Sequence, residues 1–200
     1  MAGKIKLEGE TVKIAKKMLR DVCEILERSN ISYILEAGTL LGIVRENRLL
    51  PWDNDVDITI TEKDQKKLLW SRWKFWIKGY RFYTRHYKRN TGPFKKGMLR
   101  IVKIQTRRYI FVKNLGLLDI FIKRPIDDDY YWTVGVRKPV LKSVPKKFYN
   151  ELGEIEFEGR KYSVPRDYED YLEYFYGDWR TTKKDYNYRT DDKCIREVLK

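Results

Sequence analysis

The stretch "LLPWDNDVDITI", residues 49–60, places three carboxylates on alternate positions directly before an apolar, β-branched run. Val56-Asp57-Ile58-Thr59-Ile60 alternates as a strand does, so Asp55 and Asp57 share one face while Val56, Ile58 and Ile60 take the other. One face is thereby committed to a core. The opposite face gathers like charges that raise one another's pKa unless something positive sits among them. Oxygen ligands of this kind suit a hard divalent cation, Mg²⁺ or Mn²⁺. Two other readings of the pattern stand beside this one. An Asp-rich turn can simply cap a strand. A calcium loop would share the D-x-D-x-D start, but its sixth position here is Ile58 rather than Gly and its twelfth is Asp64 rather than Glu, so the fit fails where the loop must bend.

The surroundings of this strand set the fold class. From Glu10 to Arg28, apolar residues at Ile14, Ala15, Met18, Leu19, Val22, Ile25 and Leu26 recur at three and four, which predicts an amphipathic helix closed by Ser29-Asn30. "ISYILE" (31–36) reads as a strand, and "GTLLG" (38–42) as a turn into a short helix, with glycines that permit close backbone approach. A second amphipathic helix is expected over residues 62–78. Strands are expected over Tyr80 to Tyr87, Met98 to Gln105, Tyr109 to Val112 and Leu117 to Ile122, with a turn at Asn90-Thr91-Gly92-Pro93. A hairpin across Glu158-Gly159 precedes a helix that Pro165 opens, "DYEDYLEYFYG", and Gly177 closes. Helices at both ends around a mixed central sheet predict an α+β fold, and 200 residues fit one domain, 1–200.

Charge is distributed very unevenly. Residues 65–118 hold sixteen Lys or Arg and no Asp or Glu, whereas the other 146 residues, with 27 basic and 29 acidic, come close to neutrality. The net charge of +14 therefore belongs to one segment. That segment is interleaved with Trp70, Trp73, Trp76, Tyr80, Tyr83 and Tyr87, a mixture that can attract an anionic polymer, a lipid surface or nucleic acid. A solvated basic face with packed aromatics is the plainer reading. Cys23 and Cys194 make no metal-ligand spacing or disulfide framework, the N-terminal residues lack the apolar core of a secretory signal, and no window is apolar enough to span a membrane. These features predict a cytoplasmic protein.

A strand, a glycine-bearing turn and a two-carboxylate strand in that order is the layout of polymerase-β-like nucleotidyltransferases. "EAGTLLGIVRENRLLPWDNDVDITI" resembles the signature of the LicD family, which includes fukutin and fukutin-related protein. "LRIVKIQT" followed by "GLLDIFI", and the later "VPRDYEDYLEYFYGDW", resemble two further blocks of that family, so the resemblance covers about residues 31–180.

The resemblance implies a nucleotidyltransferase-type fold, a mixed sheet flanked by helices, and transfer of a phospho-alcohol such as phosphocholine or ribitol phosphate. The donor would be a CDP-alcohol, the acceptor a hydroxyl of a glycan or glycolipid, and CMP would leave. Asp55 and Asp57 would hold the metal, with Asp53 joining or supporting them. Asp119 in "LLDIF" would be a further ligand or would accept the acceptor's proton. Gly38, Thr39 and Gly42 would hold the donor's phosphates. Arg45, Arg100 and Lys103 are the candidate cations; Arg100 and Lys103 are three apart, so a regular strand turns them to opposite faces and at most one reaches the site unless a bulge intervenes, with Arg100 slightly preferred. A peripheral position at the inner membrane surface, reached through residues 65–118, goes with such an acceptor, and nucleic acid is not the expected partner.

Asn54 stands in a slot that is often Asp in the family, and alternation points it away from the carboxylates. Lys123-Arg124 stands where the family often continues Pro-Leu-Asp, which bears on the acceptor. His86 is expected on the surface and Asp127 to Asp129 in a solvated turn. Nucleotidyl transfer from an NTP, with pyrophosphate leaving, and a nucleic-acid or membrane-binding module with a vestigial site are the other functions this sequence allows.

Overall fold

The computed structural model describes residues 6–107, 116–183 and 186–199. The first half contributes α1 (Gly9–Glu27), β1 (Ile34–Leu35), α2 (Ala37–Glu46), β2 (Val56–Thr61), α3 (Gln65–Trp70), α4 (Arg72–Ile77), β3 (Tyr80–His86) and β4 (Leu99–Thr106). The second half contributes β5 (Gly116–Ile126), β6 (Asp129–Val134), β7 (Val140–Pro145), α5 (Lys147–Asn150), β8 (Leu152–Phe157), β9 (Arg160–Pro165), α6 (Tyr168–Tyr176) and β10 (Ile195–Val198). The result is a mixed eight-stranded sheet with helices, plus the separate hairpin β8–β9.

β5 organises the sheet. Its first half lies between β2, which runs parallel to it, and β4, which runs antiparallel and carries β3 at the edge. Its last residues pair instead with β6, which leads to β7 and β10. The face built from Val56, Ile58, Ile60, Leu118, Ile120, Ile122, Val102 and Ile104 is buried and continuous with the apolar side of α1, where Ala15, Met18, Leu19 and Val22 are fully buried. Phe75 of α4 meets Phe82 of β3 edge-on, centroids 5.1 Å apart, closing this layer at the sheet edge.

The α+β class, α1, β2, β3, β4 and β5 are found where the sequence puts them. Glu158 and Gly159 both have positive φ, 53° and 68°, which is the turn chemistry of a tight hairpin. Four expectations need correction. Only Ile34 and Leu35 of "ISYILE" pair as a strand, because Glu36 leaves the ladder to begin α2. The helix over 62–78 is broken into a 3₁₀ turn, α3 and α4, with Ser71 buried at the break and its Oγ donating to the Leu68 carbonyl. Pro165 ends β9 rather than opening α6, whose first turn follows Asp167. β6, β7 and β10 were not anticipated. The strand expected over Tyr109 to Val112 lies outside the described residues.

Candidate active site

Parallel pairing of β2 with β5 sets Asp57 directly opposite Asp119, and antiparallel pairing of β5 with β4 sets Asp119 opposite Lys103. Tyr83 of β3 completes the row. Directly opposed residues share a face, so this row stands on the side of the sheet away from the α1 core. Asp55, one residue before β2, joins it: one carboxylate oxygen from each of Asp55, Asp57 and Asp119 can lie within 4.8 Å of the others. Asp53 is beside this group and not in it. Its Oδ1 accepts from the Asn54 amide at 2.9 Å, and its Oδ2 lies where a side chain on Gly38 would have to go.

The electrostatics follow from burial and crowding. Burial, with the charges of Asp119 and Asp53 beside it, raises the Asp55 carboxyl to about 7. Asp57 is raised well above its ordinary value, by burial first and then by Asp55, Asp119, Asp53 and Glu36. Burial also raises Asp119, against the pull of the Lys103 ammonium that it contacts in an ion pair. One ammonium thus faces three carboxylates at bonding distance from only one of them. An array of hard oxygen donors that close, undercompensated and still open enough to leave Asp55 and Asp57 partly exposed, fits a divalent cation.

The turn residues position this group. Thr39 Oγ1 accepts from the Asp57 amide at 2.9 Å, and the Glu36 amide donates to the Asp57 carbonyl at 3.0 Å, so both ends of Asp57's backbone are fixed by the start of α2. Gly38 and Gly42 sit within that helix. A Cβ on Gly42 would come within 2.5 Å of the Arg48 carbonyl and one on Gly38 would strike the Asp53 carboxylate, so both glycines serve the packing of α2 against the acidic loop.

The candidate cations are separated by contact. Lys103 pairs with Asp119, whereas Arg100, skipped in the β3–β4 register between Leu99 and Ile101, donates to the Gly135 carbonyl and acts on Asp119 through its charge, so the direct contact preferred for Arg100 belongs to Lys103. Arg45 pairs with Glu46 at 2.7 Å and donates to the Trp179 carbonyl at 3.2 Å, which holds it as a tie between α2 and the end of α6. His86 is exposed at the end of β3, and Asp127 and Asp128 are exposed in the β5–β6 turn, as expected, whereas Asp129 is corrected to a half-buried first residue of β6 whose Oδ2 accepts from Ser143 Oγ at 2.6 Å.

Sequence reasoning passed over Glu36 and gave Lys123 no place in the fold. Lys123 follows Asp119 at two positions' remove twice over, hence on the same face, and is fully buried. Its Nζ donates to Glu36 at 2.8 Å, to Tyr149 Oη at 2.8 Å and to Tyr171 Oη at 3.3 Å, and lies 3.7 Å from the centre of the Trp132 ring. Glu36 in turn accepts from Thr59 Oγ1 at 2.7 Å and Tyr171 Oη at 2.5 Å. The only hint in the sequence was a basic residue continuing an apolar strand.

With this geometry in hand, the comparisons with known proteins can be weighed. The family model described as LicD/FKTN/FKRP, nucleotidyltransferase domain, matches residues 30–167. The chain belongs to the LicD family. An uncharacterised protein of Rickettsia prowazekii is 32% identical over 117 residues, 58% of this chain and 43% of that protein. The ribitol 5-phosphate transferase FKRP of Homo sapiens is 41% identical over 49 residues, 24% of this chain and 10% of FKRP. The lipopolysaccharide cholinephosphotransferase LicD of Haemophilus influenzae is 36% identical over 45 residues, 22% and 17% of the two chains. The matches thus span less than half the length of each of these relatives. A crystal structure of ANT(2″)-Ia with adenylyl-2″-tobramycin aligns over 78% of this chain and 75% of that one at 13% identity and a TM-score of 0.41, a likeness too remote to argue from.

Proposed function

We propose that this LicD-family chain is a metal-dependent phosphotransferase of nucleotidyltransferase-type fold, moving a phospho-alcohol from a CDP-linked donor to a hydroxyl of a glycan or glycolipid and releasing CMP. The observation that carries the reading is the convergence of Asp55, Asp57 and Asp119 on one face of two adjacent parallel strands. The names of FKRP and LicD, a ribitol 5-phosphate transferase and a cholinephosphotransferase, support the reaction class.

In this reading Asp55, Asp57 and Asp119 hold Mg²⁺ or Mn²⁺, which when bound offsets charge on the transferring phosphoryl group. Lys103 adds a fixed positive charge in the same row. The acceptor's hydroxyl oxygen bonds to the phosphorus bearing the alcohol, the bond from that phosphorus to the CMP oxygen breaks, and the hydroxyl proton passes to Asp119. Such chemistry depends on positioning more than on reactive side chains, and the fixed backbone of Asp57 supplies positioning.

The experiment incubates the protein and a divalent ion with CDP-choline, CDP-ribitol, CDP-glycerol, CTP and ATP, with and without a lipid-linked glycan extract. CMP release that requires a CDP-alcohol and increases with acceptor supports the proposal. Pyrophosphate from CTP or ATP, with no CMP from any CDP-alcohol, replaces it with nucleotidyl transfer.

A further inference from the structure

The helical segment between β2 and β3 turns large apolar side chains toward solvent. Leu68, Ser71 and Phe75 are its inward contacts, all buried, while Trp70, Trp73, Trp76 and Ile77 are 83, 56, 62 and 65% exposed. Lys66, Lys67, Arg72 and Lys78 are exposed on the same two helices. Across residues 65–107 there are fourteen Lys or Arg and no Asp or Glu. Some of these cations answer neighbouring acids, Lys67 with Asp64 and Lys78 with Glu24, and Arg107 lies 4.5 Å above the Trp76 ring. The surplus remains strongly positive.

We propose that α3 and α4 form a docking surface for an anionic lipid bilayer, with the tryptophans seated at headgroup level and the lysines and arginines among the lipid phosphates. Three observations favour this occupant. Tryptophan is the side chain best suited to the membrane interface, where its ring is in apolar surroundings and its N–H stays wet. A basic surplus that outnumbers the few carboxylates beside it complements an anionic leaflet, and long Lys and Arg stems can lie along the apolar surface while their charges reach outward. The tryptophans stand on the outside of helices, which suits a flat partner. A single nucleic-acid strand stacks its bases along a positively charged groove instead.

The position of the patch gives docking a use. α4 leads through Gly79 into β3, whose Tyr83 lies in the cross-strand row of Lys103, Asp119 and Asp57. The patch and the acids are thus joined through the adjoining strands β3 and β4, and docking would hold the chain at the bilayer surface where a lipid-linked acceptor resides. Docking rests on the patch alone; only its use for an acceptor rests on the proposed function.

The test is sedimentation of the full chain with phosphatidylcholine vesicles, with and without roughly one third phosphatidylglycerol, together with tryptophan emission and quenching by brominated lipid. Partition into the anionic vesicles only, falling steeply with salt and accompanied by a blue shift and quenching, is expected. The double variant Trp70→Ala/Trp73→Ala should partition roughly tenfold less or weaker still. Its thermal unfolding and its CMP release from a water-soluble donor should match the parent, because neither side chain is in the core or the site. The proposal is overturned by failure to bind anionic vesicles at low salt, or by binding that the double variant leaves intact. It is equally overturned if the double variant abolishes self-association or single-stranded DNA binding while vesicle binding is unaffected. Because the readout is vesicle binding, its failure is separable from absence of transferase activity.

Discussion

Two charged clusters stand on the same face of β2 and β5, and they are built in opposite ways. At Lys123 a single ammonium meets a single carboxylate, Glu36, and two tyrosines, a threonine and a tryptophan ring complete the shell. Two side-chain rows away, Asp55, Asp57 and Asp119 meet one ammonium, Lys103, which contacts one of them, and the charge of Arg100, which acts on that same Asp119 without contact. The first cluster is balanced and sealed, so its charges are satisfied by the chain alone. The second has more negative charge than the neighbouring cations offset. Under the proposed function, the contrast is between charge that serves the fold and charge kept for a ligand.

The largest effect that would test this difference concerns turnover. Asp57→Ala should reduce transfer to background while leaving the protein folded, since removing one of three repelling carboxylates relieves a cost. Near-parental activity of this variant, measured with a donor the parent is known to use, would end the catalytic reading of the row.

The sealed cluster should respond in stability instead. Lys123→Ala leaves Glu36 buried without its cation and should lower the unfolding free energy by about 3–5 kcal/mol in denaturant titrations. Lys123→Met with Glu36→Gln, which removes both charges, should recover a good part of that loss. If Lys123→Ala instead matches Asp57→Ala in stability, the two clusters do not differ as described.

How much of this was legible in the sequence depends on the range over which each feature is encoded. The alternation of Asp55, Asp57 and the β-branched residues is local, and so is Asp119 in its apolar run; two strands read independently turned out to be neighbours with the acids opposed. α1 declared itself by periodicity. Lys123 could not be read the same way, because a lysine is buried only when a partner waits for it, and its partner is Glu36 on the far side of the chain. The order of Arg100 and Lys103 turned on the register that sets Lys103 opposite Asp119 and skips Arg100, which alternation within β4 alone does not fix. β6 carries a run of aromatic and β-branched residues, Tyr130 to Val134, that could have been read as a strand, whereas β7 is buried nearly throughout and shows no alternation. β10 has only four residues, too few to show a period.

Divalent ions should act on one cluster only. Mg²⁺ or Mn²⁺ at about a hundred times its dissociation constant should stabilise the chain by roughly 2.7 kcal/mol, seen as a rise in Tm that chelator reverses. Asp57→Asn should lose that rise. The Lys123→Met/Glu36→Gln variant should keep it, starting from its own Tm. A rise of equal size in Asp57→Asn would place the ion elsewhere.

The smallest effect expected is the pH dependence of the metal-free protein, and its sign follows from the same imbalance. Asp55 is raised to about 7 in the fold by burial and by Asp119 and Asp53, and Asp57 and Asp119 are raised as well, whereas in the unfolded chain these carboxyls return to ordinary aspartate values. The folded state therefore binds protons more tightly than the unfolded state. The stability this confers is fully present below the unfolded aspartate range and is lost as pH rises through about 7. Other carboxylates oppose the trend: Asp21, held below its usual range by Lys17, Tyr80 and Lys78 against the cost of burial, contributes stability that is lost as pH falls toward its own lower value. The informative quantity is accordingly a difference between proteins. Between pH 5.5 and 8, the chelated parent should lose stability relative to Asp57→Asn, and the gap should narrow when Mg²⁺ or Mn²⁺ is added, because a bound cation favours the ionised carboxylates. Parallel stability curves for the two chelated proteins across that range would mean that the three carboxylates do not share their charge as the geometry requires.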